Sequence, residues 1–282
     1  MAAEDLTFAY SHCETLVREA DPDRFWASQF SPADKRPHLH ALHAFNYEIA
    51  RVRDSVREAM LGEIRLQWWR DALQGEVRGD VRANPIAAAL DDTIVKFRLP
   101  RSALVSLIDA RIFDLYDDPM PSLNDLEGYC GETASSLVRL AGIVLMGGTD
   151  PGHADAAGHA GVAYAVTGLL RAFPWHARQG QVFIPAEILA RHGVVRDDIV
   201  TGRGGPGLKG ALGDMRAVAR RHLEQVRTLQ ATIPAGAQPA FRSLALVEPY
   251  LKAMEWRDYD PFHTEVDIPR WRKIWALWRG VF

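Results

Sequence analysis

Apolar side chains recur at steps of three and four along most of this chain, which is the spacing of one face of an α-helix. The clearest run starts at Pro37 and is expected to be interrupted at Gly62; its apolar positions are Leu39, Leu42, Phe45, Ile49, Val52 and Val56. The next run, GEIRLQWWRDALQG, ends at Gly75, a C-terminal stop signal. It carries two apolar stripes side by side: Ile64, Trp68 and Ala72, and Leu66, Trp69 and Leu73. We expect Phe45, Ile49 and Trp68 to be buried where these helices pack.

Helical spacing continues through the rest of the chain. Helices are predicted from near Pro85, over 102–118, and over 122–148 with Ser122 as N-cap. Small residues within 131–136 indicate close packing or a cavity wall. Further helices are predicted over 152–173, 211–228, 240–254 and 268–278. Because no stretch shows the alternation of a strand, the pattern predicts an all-α, single-domain protein over residues 1–282.

Composition narrows the class of protein. The 282 residues are 48% hydrophobic and 24% charged, as in a soluble globular protein. A net charge of −3 gives no basic field for nucleic acid, so no nucleic-acid partner is expected. Cys13 and Cys130 are far apart in sequence and favour a reducing compartment over a disulfide scaffold. The acidic start MAAEDLTFAY argues against a secretory signal, and no apolar run is long enough for a spanning helix.

Common catalytic motifs have little support. The cluster in VTGRGGPGLKG lacks the ending and the preceding strand of a phosphate loop, and is interpreted as a flexible surface connection. His38, His40 and His43 are closely spaced, but without HExxH or nearby cysteines a zinc site has weak support. No GxSxG is present, and isolated serine or cysteine residues do not establish nucleophilic catalysis.

Several stretches in the right order resemble the squalene/phytoene synthase superfamily, over roughly residues 39–278. They are LHAFNYEIARVRDSVREAMLGEIRLQWWRDAL, LEGYCGETASSLVRLAG and TGLLRAFPWHARQGQVFIP. The positions that carry the match are Ala44–Phe45, Asp54, Trp69, Asp109, Asp114, Tyr129, Gly161, Arg171, Gly180 and Phe183–Pro185. This resemblance implies an isoprenoid-synthase-like helical bundle around a central apolar cavity.

The resemblance also shows where the chain departs from the synthases. Family chemistry ionises an allylic diphosphate, and carboxylates on two facing helices hold the magnesium ions that neutralise it. Of the first acidic motif, DDxxD-like in the family, only Asp54 persists, since Ala50 and Arg51 occupy the earlier positions. Of the second, QLTNILRDVGED-like in the family, the polar and acidic positions hold Ala165, Gly168, Ala172, Trp175 and His176. We therefore expect no metal cofactor, and magnesium only if the chain is a synthase with an altered site.

The replacements themselves resemble a subgroup of the superfamily. AFNYEIARVRDSV, YCGETASSL, LLRAFPWHARQGQVFIP and YDPFH are similar to the group typified by a mitochondrial assembly factor for respiratory complex I, with bacterial relatives. An RAxPxH-like run, here Arg171 to His176, stands where synthases carry aspartates. This resemblance implies a synthase-like fold reused without the usual metal chemistry.

Eight positions are candidates for the mouth of the cavity if the family fold holds: Asn46, Glu48, Arg51, Asp54, Arg171, Trp175, His176 and Arg178. The arginines could bind a phosphate or carboxylate directly. Alternatively, Asp54 and Arg171 form an internal ion pair that replaces the metal structurally. We further expect the helix to end near Phe173, ahead of Pro174, and 175–185 to form a loop.

The C-terminal stretch IPRWRKIWALWRGVF has two interpretations. Trp271, Trp275 and Trp278 share one helix face and are surrounded by basic residues. We expect this helix to dock its tryptophans on the core; the alternative is an interfacial membrane helix.

The function implied by the resemblance is non-catalytic, in the assembly of complex I. Its partners would be complex I subunits or assembly intermediates, with an isoprenoid or lipid as a further ligand of the cavity. Its place would be cytoplasmic, or peripheral at the inner membrane, on the matrix side in a mitochondrion. The alternatives are a prenyl-diphosphate-dependent synthase with an altered site and an isoprenoid- or lipid-binding carrier.

Overall fold

The computed structural model describes residues 3–76 and 80–281, and every regular element in those ranges is helical. This confirms the all-α prediction. The α-helices are α1 (Ala3–Ala20), α2 (Pro22–Ser28), α3 (Arg36–Ala50), α4 (Ala59–Gln74), α5 (Pro85–Phe97), α6 (Arg101–Arg111), α7 (Leu123–Cys130), α8 (Ser136–Leu145), α9 (Ala154–Arg171), α10 (Phe173–Arg178), α11 (Ala186–Arg191), α12 (Arg196–Val200), α13 (Pro206–Thr228), α14 (Val247–Ala253) and α15 (Arg270–Arg279). Segments of 3₁₀ helix are Arg53–Ser55, Val81–Ala83, Ile112–Leu115, Gln230–Thr232 and Ala235–Leu246.

The helices are organised into two compact units. Unit 1 comprises Met1–Tyr116, Ser136–Ala154 and Ala231–Ser243. Unit 2 comprises Asp117–Ser135, Asp155–Gln230 and Leu244–Phe282. The assignment of residues 1–282 to one domain stays a prediction.

The core of unit 1 is built around α3, which packs against α1 and α5. Phe45 is 0% and Ile49 is 1% exposed, as predicted. The helix ends at Ala50, however, and does not continue to Val56. Gly62 does not interrupt a helix: it lies inside α4, where a Cβ atom would approach Leu115 Cδ2 to 2.5 Å. Gly62 therefore allows close packing.

Only one of the two stripes on α4 faces the core. Leu66, Trp69 and Leu73 are buried, whereas Ile64 is 61% exposed. Trp68 is partly buried and packs against this core, in line with the prediction that it is largely buried, although it is more exposed than Trp69. The two stripes have the same helical spacing, and spacing alone could not show which one faces α3 and α6.

A capping box and a π-helical turn shape the segment that follows. Ser122 accepts a hydrogen bond from the Asp125 backbone and the Asp125 side chain bonds back, which confirms the predicted N-cap. The small residues sit in a π-helical turn, Gly131–Ser135, between α7 and α8. Within unit 2, Ser135 Oγ donates to the Gly158 carbonyl at 2.8 Å, and a Cβ atom on Gly161 would lie 2.2 Å from Ser135. The small residues thus serve close packing.

The later helices differ from prediction in two places. The predicted 240–254 helix is α-helical only over Val247–Ala253, and residues 240–246 belong to the preceding 3₁₀ segment. In α15, Lys273 and Leu277 are buried while Trp271, Trp275 and Trp278 are 66%, 55% and 71% exposed. The expectation that the tryptophans dock on the core was therefore wrong.

Two observations bear on the expectations drawn from composition. Neither cysteine forms a disulfide, and both are buried. None of the helices within the described ranges has the length and apolar character needed to cross a membrane.

Candidate functional site

The end of α3 carries the candidate residues of unit 1. Asn46 is buried in the helix, and Glu48 forms an ion pair with Arg51 at 3.4 Å. The Arg51 guanidinium also lies over the Tyr47 ring, 5.5 Å from its centroid. Asp54 follows in the 3₁₀ turn Arg53–Ser55 and is exposed. The chain breaks from α-helix at Ala50, so the side chains after it do not continue the α3 face.

A cleft of about 280 Å³ in unit 1 brings part of this set together. Its lining residues are Glu48, Arg51, Val52, Ser55, Arg65, Trp68, Trp69 and Asn84. The cleft is lined by two arginines and by the rings of Trp68 and Trp69. Such a lining suits a small anionic group with an apolar part. Asn46 and Asp54 do not line it.

Unit 1 also contains a larger cavity, of about 900 Å³, which Trp69 lines as well. It lies among α4, α5 and α6 and is lined by Leu73, Leu90, Ile94, Val105 and the paired Asp91 and Arg101. None of the predicted candidate residues lines this cavity.

Buried polar atoms without partners are concentrated on α3. His40 Nδ1, His43 Nδ1 and Asn46 Oδ1 are buried, and each lacks a hydrogen-bond partner among the residues that the structure describes. Their spacing of three places them on one side of the helix. Burial lowers the pKa of His40 to about 4, so its imidazole is neutral at physiological pH. Buried polar atoms of this kind normally have partners, which makes this side of α3 unusual.

The neighbouring His38 is instead fully engaged. Its Nδ1 is 2.8 Å from Tyr10 Oη and 3.0 Å from Thr93 Oγ1, and its Nε2 is 2.9 Å from Lys96 Nζ. Burial, then the nearby Lys96, lowers the pKa of His38 to about 4. His38 is therefore a satisfied core residue.

The candidate residues of unit 2 lie at the junction of α9 and α10. Helix α9 ends at Arg171, two residues before the predicted end. Residues 175–185 were predicted to form a loop, and that prediction was wrong for 175–178, which belong to the short helix α10. Pro174 sits in its first turn, where the missing N–H has no helical partner to lose. Trp175, His176 and Arg178 are thus on a helix, and only 179–185 remain non-helical.

Arg171 is held by residues from the end of unit 2. Its guanidinium lies over the Tyr250 ring, 3.7 Å from the centroid, and its Nε donates to the Val266 carbonyl at 3.3 Å. Tyr250 is only 2% exposed, so the stacking takes place at the edge of the core. This geometry suits a strong cation–π contact.

A second cation belongs to the same cluster. Lys273 Nζ lies 5.5 Å from the Tyr250 ring centroid and forms an ion pair with Asp267 at 2.6 Å. Partial desolvation would raise the pKa of Asp267, but the Lys273 hydrogen bond and the nearby Arg171 lower it overall. We call Arg171, Tyr250, Asp267 and Lys273 the Tyr250 cluster.

The remaining candidates on α10 differ in their surroundings. Trp175 is 54% exposed. The His176 ring packs against Phe183 with centroids 4.8 Å apart, and Arg178 donates to the Phe262 carbonyl at 3.3 Å. Helix α10 thus presents an indole, an imidazole and a guanidinium in the region where the resemblance implies acidic residues in synthases.

Tyr250, Asp267 and Lys273 were missed from sequence as partners of Arg171. They lie some 80–100 residues further along the chain, and no local pattern links them to Arg171. The predicted Asp54–Arg171 pair would join unit 1 to unit 2 and stays a prediction.

The donors of this region do not match the magnesium cluster that the synthase resemblance implies. Within 3–76 and 80–281, no three histidine, cysteine, aspartate or glutamate side chains are grouped so as to hold a metal ion. Glu48, the carboxylate that lines the small cleft, is already paired with Arg51. Hard cations such as magnesium require several oxygen donors. The absence of a metal cofactor stays a prediction, and no step is assigned to one.

Comparison with known proteins identifies the family. The family description of squalene/phytoene synthases matches residues 17–272. The chain belongs to the squalene/phytoene synthase family. The matched range is wider at its start than the 39–278 over which the resemblance was recognised, because α1 and α2 also take part.

Relatives within the family fall into two kinds. NADH dehydrogenase (ubiquinone) complex I, assembly factor 6, of Rattus norvegicus is 33% identical over 94% of this chain and 83% of its own length. The 15-cis-phytoene synthase of Synechococcus elongatus is 24% identical over 98% of this chain and 93% of its own. The similarity to the assembly factor confirms the subgroup resemblance.

Solved structures establish the fold. A dehydrosqualene synthase crystallised with a ligand superimposes with a TM-score of 0.82, covering 98% of this chain and 96% of that one at 18% identity. The isoprenoid-synthase-like helical fold predicted from sequence is therefore confirmed.

Proposed function

We propose that this family member acts in the assembly of respiratory complex I and performs no metal-dependent diphosphate chemistry. The observation that carries the proposal is the α9–α10 junction. A synthase needs acidic side chains there, and this chain places Arg171 against Tyr250 with Trp175, His176 and Arg178 on the following helix. Cations at this position would repel magnesium instead of binding it.

The role in assembly is supported by the similarity to complex I assembly factors across nearly the whole chain. Their partners in this role would be complex I subunits or assembly intermediates. The place of action would be the cytoplasmic face of a bacterial inner membrane, or the matrix side in a mitochondrion. The fold is shared with enzymes, and fold alone does not decide between these roles.

Deletion of the gene distinguishes the proposal from its alternatives. We expect the deletion to lower NADH:quinone reductase activity and the amount of assembled complex I on native gels, with the isoprenoid profile unchanged. Wild-type protein should restore assembly. Loss of an isoprenoid product with intact complex I would contradict the proposal and support the altered synthase.

A binding measurement on the purified protein tests the chemistry separately. Calorimetry with farnesyl or geranylgeranyl diphosphate should give no magnesium-dependent binding at micromolar concentration. Tight binding that requires magnesium would contradict the non-catalytic part of the proposal. Tight binding of an isoprenoid without magnesium or turnover would favour a carrier that uses the same fold.

A further inference from the structure

The C-terminal helix α15 presents two faces of opposite character. Its inner face is fixed by Leu277, which is 0% exposed, and by Lys273, which is 8% exposed and paired with Asp267. Its outer face carries Trp271, Ile274, Trp275 and Trp278, which are 66%, 41%, 55% and 71% exposed. At about 100° per residue these four side chains fall within an arc of about 100°.

Arginines flank the aromatic face. Arg270, Arg272 and Arg279 are exposed, and the helix Arg270–Arg279 contains no acidic residue. The Arg272 guanidinium lies 5.1 Å from the Trp271 ring centroid, and that of Arg279 lies 4.7 Å from the Trp275 centroid. Two of the positive charges therefore lie over the rings of the aromatic face.

We infer that the outer face of α15 docks on the surface of an anionic phospholipid bilayer. Tryptophan is favoured at the boundary between acyl chains and headgroups, because its ring is apolar and its N–H can reach water. The arginines beside the rings would then lie at the level of the phosphate groups. With its ten residues, α15 is about 15 Å long, which suits a helix lying in the plane of the interface and not crossing it.

The charges favour this occupant over a second copy of the chain. Two α15 faces related by a twofold axis would bring arginines against arginines, with no acidic residue on the helix to pair them. Anionic headgroups provide the complementary charge. This inference goes beyond the proposed function and does not rest on it, since lipid docking can be measured on the purified protein alone.

Vesicle flotation tests the inference directly. The full chain is mixed with phosphatidylcholine vesicles that contain either none or about 30 mol % of phosphatidylglycerol, at low and at high salt. We expect binding to the anionic vesicles that weakens as salt rises, and much weaker binding to the neutral ones. Equal binding to both compositions, or no binding to either, would overturn the inference.

Substitutions locate the binding face. Combined Trp271→Ala, Trp275→Ala and Trp278→Ala should reduce the partition coefficient at least about tenfold, because the apolar anchor is removed. Trp256→Ala is the matched control: this tryptophan is 68% exposed in the same unit but lies outside α15, and its loss should leave binding unchanged. If the triple variant binds as the wild type does, α15 is not the docking face.

The arginines are tested by a second variant that leaves the apolar face intact. Arg272→Gln with Arg279→Gln should weaken binding to anionic vesicles by roughly 25-fold, about fivefold for each charge near the surface. Circular dichroism shows whether each variant is folded. If the triple tryptophan variant is unfolded, the single change Trp278→Ala and the arginine variant are used for the test instead. Light scattering tests the alternative that a second copy of the chain covers this face. If the wild type is a dimer, the tryptophan substitutions dissociate it and no vesicle binding is seen, the lipid surface is rejected in favour of self-association.

Discussion

The end of α3 and the α9–α10 junction stand where the resemblance to synthases implies two acidic motifs, yet they satisfy their polar groups in different ways. At the junction, Arg171 is stacked on Tyr250 and bonded to the Val266 carbonyl within its own unit. On α3, Asn46 Oδ1 and His43 Nδ1 are buried without a partner among the described residues. At the junction, the charged side chain is bonded within the protein. On α3, two buried polar atoms have no hydrogen-bond partner among the described residues.

Under the proposed function, this difference indicates how a synthase fold can dispense with metal ligands without losing stability. A cation placed where metal ligands are required must be accommodated, and an aromatic ring with a carbonyl does so inside unit 2. An unpartnered polar atom costs free energy and is normally retained for a reason. A ligand is therefore expected to contact α3 and the cleft at Glu48 and Arg51, and not the Tyr250 cluster.

The largest expected effect tests the packing that supports the α3 side. Ile49→Ala should lower the free energy of unfolding by about 2–5 kcal/mol, because Ile49 is 1% exposed in the core of unit 1. Ile64→Ala on α4 is the control, since Ile64 is 61% exposed and its loss should change stability by less than about 0.5 kcal/mol. Chemical denaturation measures both. Equal effects of the two changes would mean that the α3 register is wrong.

The junction side is tested by removing its cation. Arg171→Ala should cost about 1–3 kcal/mol, the sum of a cation–π contact and one hydrogen bond. Arg178→Ala, an exposed residue with one carbonyl contact, should cost less. No measurable loss on Arg171→Ala would show that the Tyr250 cluster contributes nothing to stability.

The predicted Asp54–Arg171 pair requires a double-mutant cycle. If the pair forms, Asp54→Asn combined with Arg171→Ala should destabilise the protein less than the sum of the two single changes. The interaction free energy should exceed about 0.5 kcal/mol. Additive effects would reject the pair and leave Arg171 as a member of the Tyr250 cluster only.

A smaller, pH-dependent effect is expected from Asp267. Its pKa is lowered in the folded state, so the stability that its ion pair with Lys273 adds is present above the unfolded pKa of about 3.9. That contribution is lost as the pH falls through the lower folded pKa. It should not exceed about 1 kcal/mol, because the side chain is 66% exposed. Wild type and Asp267→Asn should therefore converge in stability on acidification; a constant difference down to acidic pH would contradict this.

The smallest effect is expected at Asn46. Replacing a buried polar group whose acceptor has no partner by an apolar group of similar shape is close to neutral, so Asn46→Leu should change stability by less than about 1 kcal/mol. Thermal unfolding with and without a cell lipid extract sharpens the comparison. If the extract stabilises the wild type but not Asn46→Leu, the α3 side contacts a ligand; a large loss of stability without any extract would mean that Oδ1 is satisfied within the protein.

Much of the architecture follows from local pattern. The spacing of apolar residues predicted the all-α fold and the burial of Phe45 and Ile49, and Ser122 marked its helix start. These features depend on residues close together in sequence, where periodicity and capping act directly. Local pattern does not show which of two equally spaced helix faces is buried. The α15 tryptophans were assigned to the wrong side because only neighbouring elements decide which stripe is covered.

The sequence by itself determined the resemblance to the synthases and which residues stand where that resemblance implies acidic ones, since residue identities require no coordinates. Only the tertiary structure decided what the replacements do. It placed Arg171 on Tyr250, which lies 79 positions further along the chain (250 − 171), and it set Trp175, His176 and Arg178 on a helix where a loop was predicted. Contacts between distant segments depend on how helices pack, and that packing is the joint result of many weak interactions that no short stretch of sequence contains.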